Sequence, residues 1–196
     1  LLALAYWWLN PTPPRQVTLA TGPENSAYEA FGKRYQQALA ADGIEVRLLP
    51  SEGSSANLAL LREGRADLAF VQGGTADLLE SDPEELTSLG SLFVEPLWWF
   101  YRPPPGPQGR PRQLDALPQL RGLRVNVGTP GSGVPTLVEK LLEANDMAPR
   151  DVKLSRLGET EATVRLLDGK LDALVFASAP EAMMVQMLLQ TPGIAL

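Results

Sequence analysis

The 196-residue chain contains neither cysteine nor histidine. Without cysteine it has no disulfides, no thiolate metal sites and no thiol nucleophile. The lack of histidine excludes more. A Ser-His-Asp triad, an imidazole proton shuttle, an HExxH zinc site and a facial iron triad all need a ring that titrates near neutral pH or ligates metal. Lysine bases and carboxylate pairs remain open as catalytic chemistry. Positive charge is also scarce: 17 Lys and Arg stand against 23 Asp and Glu, a formal net charge of −6. No basic cluster is available to neutralise a phosphate backbone, which argues against nucleic acid as a partner. Apolar residues make up 44% of the chain, enough for a buried core in one large or two small domains.

What the chain does have is a phrase stated twice. Leu60-Leu61-Arg62-Glu63-Gly64-Arg65-Ala66-Asp67-Leu68-Ala69-Phe70-Val71 is echoed by Leu166-Leu167-Asp168-Gly169-Lys170-Leu171-Asp172-Ala173-Leu174-Val175-Phe176. In each copy paired leucines close an apolar helical face, and a glycine suited to the left-handed conformation ends the helix. A basic residue then meets the helix-end carbonyls, and an Asp leads into a short apolar strand. Two copies predict two similar α/β lobes, and two facing lobes make a cleft. That arrangement points to ligand capture rather than to chemistry.

The pattern from Val17 predicts strand and helix in alternation: Val17 to Thr21, Ala27 to Ala41, Ile44 to Leu49, Ser55 to Glu63, Leu68 to Gln72. A second series follows at Arg124 to Val127, Val134 to Asn145, Val152 to Leu157, Glu161 to Asp168, Ala173 to Ala177 and Pro180 to Leu189. Such alternation implies mainly parallel sheets with right-handed crossovers. Between the series, the aromatic stretch Ser91 to Tyr101 reads as an extended crossing strand with a hinge near Leu92 to Pro96, and Pro103 to Pro111 reads as a loop. Trp98, Trp99 and Phe100 read as core or interlobe packing, and Met183, Met184 and Met187 as core. The expected division is a lobe over 16–95, a second over 96–196, and a preceding segment over 1–15. The run Leu1 to Leu9, ending in Tyr6, Trp7 and Trp8, is shorter than the roughly 20 apolar residues of a membrane span. It reads as the tail of a membrane anchor with an aromatic belt, followed by a Pro-rich spacer; a signal remnant or a core strand are the alternatives.

Three strand-to-helix junctions are rich in small polar residues: Thr21 to Ser26, Ser51 to Asn57, and Gly128 to Gly133. Each would lie at the carboxyl end of a parallel strand and open a helix with free N–H groups. Together they could hold an anion, although Ser and Asn at any one junction equally serve as N-caps. Gly128 to Gly133 lacks the Lys-Ser/Thr ending of a Walker loop and does not fit GxGxxG, so nucleotide binding is not expected. Gln72, at the end of the third strand, projects its amide toward the cleft or caps the next helix. Tyr28, one turn into the first helix, either covers a ligand or joins the core.

These junctions resemble the TAXI family of TRAP-transporter solute receptors. The resemblance rests on Thr21 to Tyr28 with Gly32, Glu52 to Leu58, Gly64 to Gln72, and Gly122 to Gly133 followed by Leu141 to Asn145. It is closest to membrane-anchored members, in which Leu89 to Leu92 and Glu95 to Trp98 sit at the lobe crossing. The resemblance implies a two-lobed type II periplasmic-binding-protein fold, each lobe a mainly parallel sheet with flanking helices. It also implies a periplasmic location and a TRAP membrane permease as partner. The ligand would be a small anionic or zwitterionic molecule, glutamate-like or 2-oxoglutarate-like. Ligand contact passes by motif position to Tyr28, Ser54, Asn57, Gln72, Thr129 and Ser132. Gly22, Asn25, Ser55 and Gly133 join them from the junctions themselves. No cofactor, metal site or catalytic residue is expected. In this fold the chain returns to the first lobe after completing the second, so a first lobe with an open apolar sheet edge is expected. No Arg lies in the junctions, and Glu24 or Glu52 could meet an ammonium group. A sensory domain signalling to a membrane partner is the main alternative. An enzyme on the same fold is another, with only Glu24, Glu52 and Asp77 as candidate groups.

Overall fold

The computed structural model describes residues 14–73, 75 and 86–196. A first sheet contains β1 (Gln16–Ala20), β2 (Glu45–Leu49) and β3 (Leu68–Ala69), all parallel in the order β2-β1-β3. Helices α1 (Ala27–Ala40) and α2 (Ser54–Arg62) make the crossovers. The entry to α1 follows from its sequence. Ser26 Oγ accepts the Glu29 N–H at 3.2 Å, and the Glu29 carboxylate reaches back to the Asn25 N–H at 2.8 Å and forward to Lys33 at 2.8 Å. Leu19, Tyr28, Val46 and Phe70 form this lobe's core.

The second sheet has four strands in the order β4-β7-β5-β6: β4 (Leu97–Tyr101), β5 (Arg124–Asn126), β6 (Lys153–Ser155) and β7 (Ala173–Ala177). The β5, β6 and β7 strands are parallel, whereas β4 runs antiparallel along β7. The uninterrupted apolar run of β7 reflects its central place, buried on both faces. Val138 and Leu142 of α3 (Val134–Glu143) pack on Val125 and Val127. Leu166 of α4 (Glu159–Leu167) and Val185 and Leu188 of α5 (Met183–Leu189) pack with Phe100 and Leu174 of the sheet.

The repeated phrase forms the same structure in both lobes. Gly64 and Gly169 have φ of 65° and 72°. Each glycine N–H bonds back to a carbonyl of the last turn, Leu61 or Leu166. The next N–H, of Arg65 or Lys170, reaches the carbonyl of Leu60 or Arg165, completing a Schellman cap. The basic residues turn to acids rather than to helix carbonyls: Arg65 to Glu63 at 3.1 Å and Lys170 to Asp168 at 3.0 Å. The following Asp then holds the neighbouring strand by its backbone. Asp67 accepts the Thr18 N–H with its carboxylate at 2.7 Å and donates its own N–H to the Thr18 carbonyl at 2.9 Å. Asp172 does the same to Arg124, at 2.7 and 2.9 Å, and also binds its guanidinium. Helix end and strand register are thus set together.

Three expectations change. The strand predicted over Ser91 to Tyr101 is confined to Leu97–Tyr101 and is an antiparallel edge of the second sheet. Pro96, which has no N–H to donate, precedes it, and its carbonyl accepts from Ser178. The helix expected from Pro180 begins only at Met183. Its buried face is Val185 and Leu188, so Met183 and Met187 point outward, at 75% and 41% exposure; only Met184 packs against the core. Residues 1–13, which carry the expected membrane segment, and Asp77 lie outside the described residues. Among the described residues no helix is long and apolar enough to cross a membrane.

Candidate functional site

The parallel strands end on the side where the two lobes meet, and the junction residues meet there with almost no space between them. A Cβ on Gly53 would lie 2.9 Å from Ser132 Cα; one on Gly131 would lie 2.6 Å from Glu52 Cβ. One on Gly133 would lie 3.1 Å from Thr75 Oγ1 and 3.2 Å from Ser54 Cβ. Backbone therefore packs on backbone across the lobes, an approach that side chains at these positions would block. The Glu52 carboxylate spans the contact and accepts the Gly131 N–H at 3.2 Å.

Behind this contact runs a chain of hydrogen bonds. Gln72 N–H donates to Ser54 Oγ at 2.8 Å, Ser54 Oγ lies 3.2 Å from the Tyr28 hydroxyl, and Tyr28 donates to Glu95 Oε2 at 2.7 Å. With the Tyr28 proton directed at Glu95 and Ser54 accepting from Gln72, the Ser54 hydroxyl donates to Tyr28. All the dipoles then run toward the Glu95 carboxylate. The Tyr28 ring is buried against Phe70 and Phe93, with centroids at 5.4 and 6.1 Å. Burial, then the nearby Glu95 charge, hold the phenol well above its usual range, so Tyr28 keeps its proton. Burial also pushes the Glu95 carboxyl above the ordinary carboxylate range, and the Tyr28 hydrogen bond opposes that rise.

Glu95 marks the crossing between lobes. Phe93, two residues before it, stacks on Phe31 of the first lobe at 4.1 Å; Pro96, the next residue, bonds to Ser178 of the second. Trp98 donates its indole N–H to the Ser178 carbonyl at 2.9 Å, which anchors the start of β4 beside the end of β7.

The residues singled out in the sequence separate into groups. Tyr28, Ser54, Gln72, Ser132 and Gly133 gather at the interlobe contact. Asn57 lies directly behind, fully buried; its amide donates to the Thr21 and Phe70 carbonyls at 2.8 Å each and its oxygen accepts from Ser51 at 2.6 Å. These bonds stitch the ends of β1, β2 and β3 together. Gly22 makes room for the α1 cap, since a Cβ there would lie 2.7 Å from Ser26 Oγ. Ser55 is half-buried on the first turn of α2, and Thr129 accepts Ser132 Oγ with its carbonyl at 2.8 Å. Asn25 is exposed in a left-handed turn, its backbone bound to Glu29. Glu95, Thr75, Gly53 and Gly131 also meet here and were not among the expected ligand contacts, although Gly53 and Gly131 lie within two of the junctions and Glu95 at the expected crossing. Glu95 carried a readable signal, being the one charged residue in the apolar run Ser91 to Tyr101.

This fold is shared with solved structures of low sequence identity. The periplasmic aliphatic sulphonate binding protein SsuA from Escherichia coli superposes with a TM-score of 0.60 at 16% identity, over 93% of this chain and 56% of its own. Lactococcal OpuAC, closed on glycine betaine, gives 0.64 at 16%, over 93% and 70%. The Synechocystis PCC6803 CcmR regulatory domain in complex with 2-PG gives 0.60 at 18%, over 92% and 78%. The chain thus spans little more than half the length of the sulphonate-binding protein. Two facing α/β lobes are the fold of the type II periplasmic binding proteins, and the sequence from residue 19 to residue 196 matches one family throughout: the chain belongs to the NMT1-like family.

Proposed function

We propose that the chain is the solute-receiving part of an extracytoplasmic receptor of the TAXI type. It captures a small organic acid or amino acid between its lobes and passes it to a TRAP-type permease. The observation that carries this reading is the convergence of Ser54, Gln72, Thr75, Ser132 and Gly133 where the two sheets face each other, with Tyr28 and Glu95 behind them. A solute held by both lobes favours the closed state through contacts the open state lacks. Lobe 1 over 16–95, lobe 2 over 96–196, a hinge at Leu92 to Pro96, a periplasmic location and an anchor within residues 1–15 belong to the same proposal. So does ligand contact by Tyr28, Gln72 and the eight junction residues named with them. Calorimetric titration of the full-length protein with glutamate, glutamine and 2-oxoglutarate tests it. Heat with at least one is expected, and its absence with all three counts against the reading.

A second reading, a sensory domain reporting ligand to a membrane partner, draws support from the similarity to a regulatory domain that binds 2-PG. The two part at the next gene product: a receptor for transport co-purifies with a permease, a sensor with a signalling protein.

A further inference from the structure

Seen from the carboxyl ends of the strands, the charges are nearly all of one sign. The β1–α1 junction carries Glu24, β2–α2 Glu52, the crossing Glu95, the start of α4 Glu159 and the β7–α5 junction Glu181. The one cation among these described junctions, Arg156, is turned to Glu139 of α3 at 2.7 Å. Glu24, Glu52 and Glu181 are exposed and solvated, whereas the Glu159 carboxyl, although its residue is exposed, is pushed above the ordinary range by desolvation. Glu95 alone of the five stands at the crossing between the lobes. It is half-buried beside an aromatic cluster and its recorded partner is a neutral phenol. The chain Gln72, Ser54, Tyr28 brings three dipoles to its carboxylate but no opposing charge. A carboxylate withdrawn from water without a cation is costly, and dipoles offset that cost only in part. One oxygen is engaged by Tyr28, and a carboxylate can accept further donors through the other.

We propose that the solute taken between the lobes carries an ammonium group, and that Glu95 is the residue that selects for it. The inference rests on the receptor reading above and narrows its ligand class to amino acids and related amines, setting aside the 2-oxo acids. The ammonium supplies the missing charge at the one partly dehydrated carboxylate of the crossing. The solute's own carboxylate is left to backbone N–H groups and hydroxyls of the junctions. An analogue with a carbonyl oxygen in place of the amine sets an acceptor against the Glu95 acceptor, which penalises it twice: a lost ion pair and an oxygen–oxygen repulsion.

Three pairs differing only in amine against carbonyl oxygen test this: glutamate with 2-oxoglutarate, alanine with pyruvate, and phenylalanine with phenylpyruvate. Each is titrated into the full-length protein by calorimetry, with the shift in melting temperature as a parallel readout. In at least one pair the amino member binds about tenfold or more tightly than its partner. Glu95→Gln abolishes that preference, whereas Glu95→Asp, which keeps the charge, retains a share of it and controls for loss of folding. A 2-oxo acid binding as tightly as its amino partner, or a preference that survives Glu95→Gln, overturns the ammonium assignment and leaves the receptor reading standing. Binding of neither class overturns both.

Discussion

Glu95 and Asp172 are carboxylates displaced in opposite directions, and their pH signatures differ accordingly. Burial holds the Glu95 carboxyl above the ordinary range, so the folded chain binds that proton more tightly than the unfolded chain does. Its ionisation therefore costs stability as pH rises from the ordinary carboxylate value through the raised one. Glu95→Gln should raise the melting temperature at pH 7 and lose that advantage near about pH 4, where the ordinary carboxylate range begins. An advantage equal at both pH values would show that the charge is not what matters. Asp172 is held below its usual value chiefly by the hydrogen bond from Arg124, so its contribution is present above the ordinary value and is lost as pH falls through the depressed one. Asp172→Asn should flatten the acid limb of the unfolding curve. Its counterpart Asp67 offers a test of the strand clamp. Asp67→Ala frees the Thr18 N–H and should cost about 1.5–3 kcal/mol in denaturant unfolding, the range of a hydrogen bond to a charged group.

Elements differ in how plainly the sequence declares them. The two Schellman caps were legible because they depend on a glycine, a leucine pair and an Asp within a dozen residues, where local backbone geometry decides the outcome. Helix α5 was less so. Met183, Met184 and Met187 sit at helical spacing, but so do Val185 and Leu188, and only the position of the neighbouring strands chooses between the faces. The choice is testable. Met183→Gln and Met187→Gln should each change stability by no more than about 0.5 kcal/mol, whereas Leu188→Ala should cost about 2–5 kcal/mol. How closely α2 and the turn Pro130–Ser132 approach could not be read from the chain, since the approach depends on glycines whose value lies in what they omit. Gly53 has a φ of 128°, and a methyl group there would meet Ser132 backbone at 2.9 Å. Gly53→Ala should push the tips apart, seen as a larger radius of gyration in small-angle scattering; unchanged dimensions would mean the contact is not rigid.

For the molecule as a whole, the architecture was legible and the state of its cleft was not. Alternating strands and helices gave two lobes, and of the junction residues Gly53 and Ser54 meet Ser132 and Gly133 across the contact. How far apart they stand depends on the crossing, where Phe93 holds to one lobe and Pro96 to the other. Tyr28, read as ligand contact or core, proves to be buried while keeping its hydroxyl at the interlobe chain. Phe93→Ala removes the stacking on Phe31 and loosens the first lobe's hold on the crossing. It should increase amide hydrogen exchange in residues 89–95 more than in β4, whose ladder with β7 is untouched.

That ladder has a consequence during synthesis. The three strands of the first sheet lie close together in the chain and can associate as soon as Leu68–Ala69 has emerged. Leu97–Tyr101 has no such neighbour: its partner, Ala173–Ala177, follows only about seventy residues later in the chain. Throughout that interval a five-residue aromatic strand, Leu-Trp-Trp-Phe-Tyr, is without its ladder, the kind of segment on which nascent chains aggregate and which chaperones shelter.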